Sequence, residues 1–348
     1  MGVPPRDPAI DCLKGLAILA VIGIHAEVLG GSRVMVHGIN HAVPVFVVLF
    51  GLNAEQWWQR HGEPAATLWW ADRLWRLYPP LWATMALWWG MTLAASPWWL
   101  QASWTTVVLN LGGMLPNIGT GWFVTVILQL IALQPLLHRL ARRAGIGWVL
   151  ALGLTCLVVT VVLRPWLVGW LGVRGARMFA PRLLGHVAFG MALARWLPVL
   201  DGRVVLVAVA AVVVCAGLHE RASSPVVAGL AERLLDLPLT VALLVACRSL
   251  GSWPVVTRPL VWLGVHSYGV YLGQLLVHDG AALAFGLRAA VGRVGPWPYA
   301  AMLLAGAVAF VVGGTAARSL AARSLRRGPR PTALGVHGGR FANPDAGR

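Results

Sequence analysis

Three ionisable side chains, Asp11, Lys14 and His25, interrupt the first apolar stretch of the chain, Ile10-Asp-Cys-Leu-Lys-Gly-Leu-Ala-Ile-Leu-Ala-Val-Ile-Gly-Ile-His25. An ionisable group within a membrane helix is costly enough to be a functional candidate by default. Eleven residues separate Lys14 from His25, which on an α-helix is about 1100° of rotation, close to three full turns. The two side chains therefore share one face, roughly 16 Å apart along the axis, with Asp11 in the same stripe. Spacing alone makes the imidazole a candidate for catalysis without naming the reaction. The plainer reading has Lys14 reaching toward lipid headgroups and Asp11 supporting the helix N-terminus. That reading does not serve His25, with Glu27 two residues on at the far part of the span, where a lone histidine near a helix end is more often structural than catalytic.

The elements that position these residues follow from composition. The chain is 58% hydrophobic and 11% charged, with a mean hydropathy of +0.72, whereas a soluble domain carries about 25% charged residues. Twelve acids in 348 residues cannot clothe a water-soluble surface of that size, but apolar side chains can face lipid. The net charge of +16 would suggest nucleic acid in a soluble protein. Here the basic residues punctuate apolar spans, so they speak for topology, and no nucleic-acid partner is expected. Lys14 is the single lysine among 28 basic residues. The four cysteines, Cys12, Cys156, Cys215 and Cys247, are scattered through apolar stretches without metal spacing, as small apolar residues are.

An all-α integral membrane fold follows, with about ten transmembrane helices in a single bundle at roughly 8–28, 40–58, 76–96, 119–138, 146–164, 179–198, 203–218, 234–250, 259–280 and 297–318. Each approaches the roughly 20 residues that span about 30 Å of hydrocarbon. The segment 104–116 is too short to span and is expected to be interfacial or re-entrant. The first stretch lacks a small-residue cleavage site and reads as a retained helix. With the N-terminus in the cytoplasm, 19 basic residues fall inside and nine outside, so both termini are expected to be cytoplasmic. Residues 1–318 then form the membrane domain, and the Arg-, Gly- and Pro-rich residues 319–348 a disordered basic tail. Eleven of the 19 tryptophans lie between Trp57 and Trp104; an interfacial belt is the expectation, with a substrate-lining role as the other reading.

Further polar groups need a role. Arg73 and Arg76, with Asp72 beside them as a local charge partner, fall on the cytoplasmic side, where topological anchoring is the plain reading. His37 and His41 have the i, i+4 spacing of metal ligands, but Gly38 and the lack of a third ligand argue against a metal, and polar lining is the better expectation. Arg182 and His186 also stand four apart, so that charged forms would repel. Arg182 can snorkel outward, and His186 can line a central cavity.

The order of several short motifs resembles the acyltransferase-3 family of bacterial membrane acyltransferases. Ile10-Asp11-Cys-Leu-Lys14-Gly-Leu-Ala with His25 is similar to the family's opening run, an arginine or lysine followed after ten residues by histidine. Pro44-Val-Phe46-Val-Val-Leu-Phe50-Gly51-Leu, Arg73-Leu-Trp-Arg76-Leu-Tyr-Pro79, Trp122-Phe123 and Leu263-Gly264-Val-His-Ser267-Tyr268-Gly269-Val-Tyr271-Leu272 resemble its later elements. Phe50 stands where the family usually has serine, and Gln274 where a late histidine usually follows. The likeness runs from about residue 6 to 318.

The resemblance implies a multi-pass protein of the bacterial inner membrane that transfers an acyl group, acetyl in the simplest case, from cytoplasmic acyl-CoA to a hydroxyl of a glycan, lipid or secondary metabolite. It implies no bound cofactor: acyl-CoA is a co-substrate, and the hydroxyl-bearing acceptor and membrane lipid are the other partners. His25 would be catalytic, as general base or acyl relay. Lys14, Arg73 and Arg76 would hold the CoA phosphates, and the Lys14–His25 span is comparable with a pantetheine arm. Asp11, Glu27, His41, Trp122, His186, Ser267, Tyr268 and Tyr271 are candidate cavity-lining residues, and no metal site is expected. The alternative is a transporter or flippase of a glycan or acylated substrate, which also needs polar residues at depth, although no inverted repeat or matched pair of broken helices supports it. A scaffolding role would leave the Lys14–His25 stripe idle.

Overall fold

The computed structural model describes residues 7–28, 39–62, 64–95, 104–113, 121–200, 202–285 and 287–327. Among these residues the chain is helical without a strand. It divides into two units, residues 1–311 and 312–348. The second is, within the described residues, the helical continuation to Arg327; all packing below belongs to the first.

The helices are α1 (Pro8–His25), α2 (Ala42–His61), α3 (Ala66–Ala95), α4 (Trp104–Leu111), α5 (Trp122–Arg143), α6 (Ile146–Val162), α7 (Arg164–Met178), α8 (Leu184–Trp196), α9 (Gly202–Arg221), α10 (Pro225–Ser249), α11 (Pro254–Val265), α12 (Ser267–Phe285), α13 (Leu287–Val294) and α14 (Pro296–Arg327). A helix occupies each expected stretch. By length and apolar content, five described helices can cross a membrane, α1, α5, α9, α10 and α14, and up to seven spans result if the bent pairs α6/α7 and α11/α12 each count as one. The chain is therefore a multi-pass helical membrane protein.

The expected boundaries shift for local reasons. The third helix starts at Ala66 instead of 76: residues 66–75 are apolar apart from Thr67, Asp72 and Arg73, and Asp72 pairs with Arg76 at i, i+4, 2.8 Å. The ninth expected span, 259–280, breaks at His266 into α11 and α12, bent by 78°. The short segment at 104 is an eight-residue helix; residues 114–116 lie outside the described residues. Helix persists to Arg327, nine residues into the expected tail, and residues 328–348 lie outside the description.

α1 is fixed at its start by sequence-local chemistry. The Asp7 side chain accepts a hydrogen bond from the Ala9 amide at 2.9 Å, and Pro8 occupies the first turn where no amide donor is required. Arg248, on α10, donates to the same carboxylate at 2.9 Å. Gly15 faces the backbone of Leu260, and Gly264 faces the backbone of Asp11, so closely that a Cβ at either position would collide. Small residues of this kind let membrane helices approach. They seat α1 against α11. Gly51 and Gly190 play the same part between α2 and α8, against Val187 and Val48.

The tryptophans divide. Trp57, Trp58 and Trp69 are buried in one aromatic cluster, whereas Trp70, Trp75 and Trp82 are exposed. Three of them thus form a core knot at the α2–α3 junction, because the inward face of each helix carries an indole, while the exposed ones remain available to an interface. Trp98 and Trp99 lie outside the described residues.

Candidate active site

α1 ends at His25, where the next turn passes through Glu27 with φ 51. The half-buried imidazole meets α12. Its Nδ1–H donates to Gln274 Oε1 at 2.9 Å, and its ring lies 5.3 Å from that of His278, one turn further along α12. His278 is buried, and its Nδ1 lies 3.2 Å from the hydroxyl of fully buried Tyr299. Asp279, next in sequence, accepts a hydrogen bond from the Trp88 indole. With Nδ1–H committed to Gln274, His25 Nε2 carries the lone pair and is the nitrogen able to accept a proton. Gln274 Nε2 is buried without a hydrogen-bond partner, an arrangement that costs about 1–3 kcal/mol in a folded protein.

Two other polar networks cross the bundle. Asp236 on α10, fully buried, accepts from His41 Nδ1 through one oxygen and from His186 Nε2 at 2.7 Å through the other. His186 Nδ1 is buried and unbonded. Near the ends of α2, α5 and α8, Glu55 accepts from His138 at 3.0 Å and from Arg195 at 2.8 Å. His138 also stacks on Trp58 at 4.8 Å. The first network joins two residues expected only as separate cavity lining. The second involves none of the expected site residues.

The expected donor-side residues are placed as follows. Lys14 pairs with buried Asp11 at 3.3 Å. Arg73 lies over Trp69, its guanidinium carbon 4.3 Å from the ring centroid, and approaches Asp72 at 3.6 Å. Arg76 shares that carboxylate while its side chain is 68% exposed. An open groove of about 640 Å³ beside the start of α1, lined in part by Cys12, Cys247 and Arg248, contains none of the three cations.

Of the lining candidates, Trp122 and Tyr271 come together through Phe123: the Trp122–Phe123 and Phe123–Tyr271 centroids are 6.0 and 5.8 Å apart. Tyr271 precedes Gln274 by three residues on α12, so this aromatic row leads toward His25. Ser267 opens α12, and Tyr268 donates to the Leu77 carbonyl at 3.2 Å, about two turns before Gln274. Glu27 is exposed on its turn, and His37 lies outside the described residues.

Sequence reasoning missed Gln274 as a partner of His25, and also His278, Asp236, Glu55 and His138. A signal was present for four of them, since each is ionisable in or beside an apolar stretch, the criterion that singled out His25. For Gln274 the signal was its place where a histidine was expected.

The model of one protein family, the acyltransferase-3 family, described as an acyltransferase domain, matches residues 7–316. No curated protein and no solved structure matches the chain.

Proposed function

The chain belongs to the acyltransferase-3 family, whose domain fills residues 7–316, and from that premise we propose that it is an O-acyltransferase moving an acetyl or similar group from acyl-CoA to a hydroxyl. The observation that carries this reading is the hydrogen bond from His25 Nδ1–H to Gln274, which leaves a single, partly accessible nitrogen for chemistry. His25 Nε2 takes the acceptor's O–H proton as the oxygen attacks the thioester carbonyl. The tetrahedral intermediate collapses with cleavage of the C–S bond, and the departing sulfur receives the proton from His25. The products are the ester and free CoA-SH. Gln274 Nε2, unpaired and buried beside the imidazole, is the donor available to the carbonyl oxygen as negative charge develops on it.

In this reading the protein sits in the bacterial inner membrane with about ten spans and both termini in the cytoplasm. Residues 1–318 are the catalytic membrane domain, and the basic residues beyond form a tail. Lys14, Arg73 and Arg76 receive the phosphates of CoA from the cytoplasmic side. The roughly 16 Å between Lys14 and His25 along α1 matches the reach that an extended thioester arm requires.

Purified protein given acetyl-CoA and a panel of hydroxyl acceptors tests this directly. Release of CoA-SH should fall by about 10²- to 10⁴-fold in His25→Ala while the variant elutes and melts as the parent does. Unchanged turnover in a folded His25→Ala protein would remove the assignment. A burst of CoA-SH without acceptor would instead make His25 an acyl carrier.

A further inference from the structure

A second polar centre lies across the aromatic row from His25. Arg182 sits in the single 3₁₀ turn Ala180–Leu183 between α7 and α8. Its guanidinium carbon lies 5.1 Å from the Trp122 ring centroid, and its Nε is buried with no hydrogen-bond partner. No protein acceptor or ion-pair partner for Arg182 occurs among the described residues. The charges of Arg233 on α10 and of Arg177 and Arg164, at the two ends of α7, act on it, opposed by one acid, Glu232. One turn below, His186 and Asp236 close the floor: His186 follows Arg182 by four residues, Asp236 follows Arg233 by three, and the two are bonded to each other. The only carboxylate in that floor already accepts from two imidazoles.

Arg182, packed over Trp122 with its Nε buried and unbonded, is electrostatically incomplete. A buried cation whose donors lack a bonded acceptor is costly, and a guanidinium with one face covered by an indole keeps its edge donors for a planar or tetrahedral oxyanion. The row Trp122–Phe123–Tyr271 runs from this centre to the helix bearing Gln274, in ring-to-ring steps of 6.0 and 5.8 Å.

We propose that the Arg182 centre binds an anionic group, phosphate or carboxylate, carried by the acceptor, so that the molecule acylated at His25 is an elongated anion lying along this aromatic row. This rests on the acyl-transfer reading for the role of the anion, but the binding itself does not. A lipid phosphate offers the same chemistry as a soluble one, and the two sources separate experimentally.

The full-length protein in neutral detergent is melted while potassium phosphate is titrated against potassium chloride at matched ionic strength. The parent should be stabilised by phosphate. Arg182→Gln should weaken the apparent phosphate affinity by about tenfold or more, and Arg233→Gln should weaken it less. Arg221→Gln, which removes an exposed arginine at the end of α9, should respond as the parent does. If Arg182→Gln is not monodisperse, Arg182→Lys, which keeps the charge but loses the planar fork, replaces it with an intermediate loss expected. A second arm compares phosphatidylglycerol with phosphatidylcholine in mixed micelles. An equal phosphate response in all variants overturns the proposal. So does an Arg182-dependent response to phosphatidylglycerol alone, which would make the centre a headgroup anchor. His25→Ala should retain phosphate binding, so a failure of acyl transfer and a failure of this site register in different measurements.

Discussion

His25 and His186 are both imidazoles held inside the bundle by one side chain from a distant helix, yet the two holders differ in kind. Gln274 is neutral, accepts one hydrogen bond from His25 and leaves its own amide nitrogen unused. Asp236 accepts from two imidazoles at once and uses both oxygens. The first site keeps an imidazole nitrogen at a partly accessible position, whereas the second is closed, with His41, His186 and Asp236 all buried. An open acceptor nitrogen suits a reacting group. A carboxylate shared by helices α2, α8 and α10 suits a tie between them, because each partner satisfies the others.

That contrast predicts which substitutions act on stability and which on rate. Asp236→Leu should have the largest effect, about 3–5 kcal/mol of destabilisation from stranding two buried imidazoles, read as a lowered Tm in detergent. The surviving folded protein should release CoA-SH at close to the parent's rate per molecule. A variant that melts normally yet is inactive would move catalysis from α1 to α10. Gln274→Leu should do the reverse: a kcat about ten- to a hundredfold lower through loss of the fixed tautomer and of the unpaired donor. Its KM for acyl-CoA should be unchanged, and its Tm equal or higher, since an unsatisfied amide is removed.

His278→Phe keeps a ring beside His25 and should cost only severalfold in kcat. A loss as large as that of Gln274→Leu would show that the His278 nitrogens take part in proton transfer. The smallest effect is expected for Arg76→Gln, whose exposed ion pair contributes at most about 1 kcal/mol. Its Tm should hold while the KM for acyl-CoA rises, and an unchanged KM would return Arg76 to a topological role.

The first member of each pair was legible in the sequence and the second was not. The eleven-residue spacing of Lys14 and His25 needs only the helix repeat, and α1 runs unbroken from Pro8 to His25. Gln274 is 249 residues from His25, and Asp236 is 195 from His41; no periodicity carries information over such distances. Arg182 and His186 were recognisable as one helical face, but Arg233 could join them only once α10 was packed beside α8. The break at His266 has Gly264 two residues before it, but that glycine is already accounted for by its close approach to Asp11. The early start of α3 was hidden by the charges Asp72, Arg73 and Arg76, which turn out to pair with one another along the helix.

That break gives α1 an unusual mounting. α11 grips its first turns, at Gly15 and Asp11, while α12, joined to α11 through His266, supplies the partners of its last residue. One folded piece of chain thus touches both ends of the helix, as the jaws of a caliper touch a rod. Sliding α1 by a single turn would displace both jaws together, so the distance from Lys14 to His25 is a gauge length that neither end can change alone.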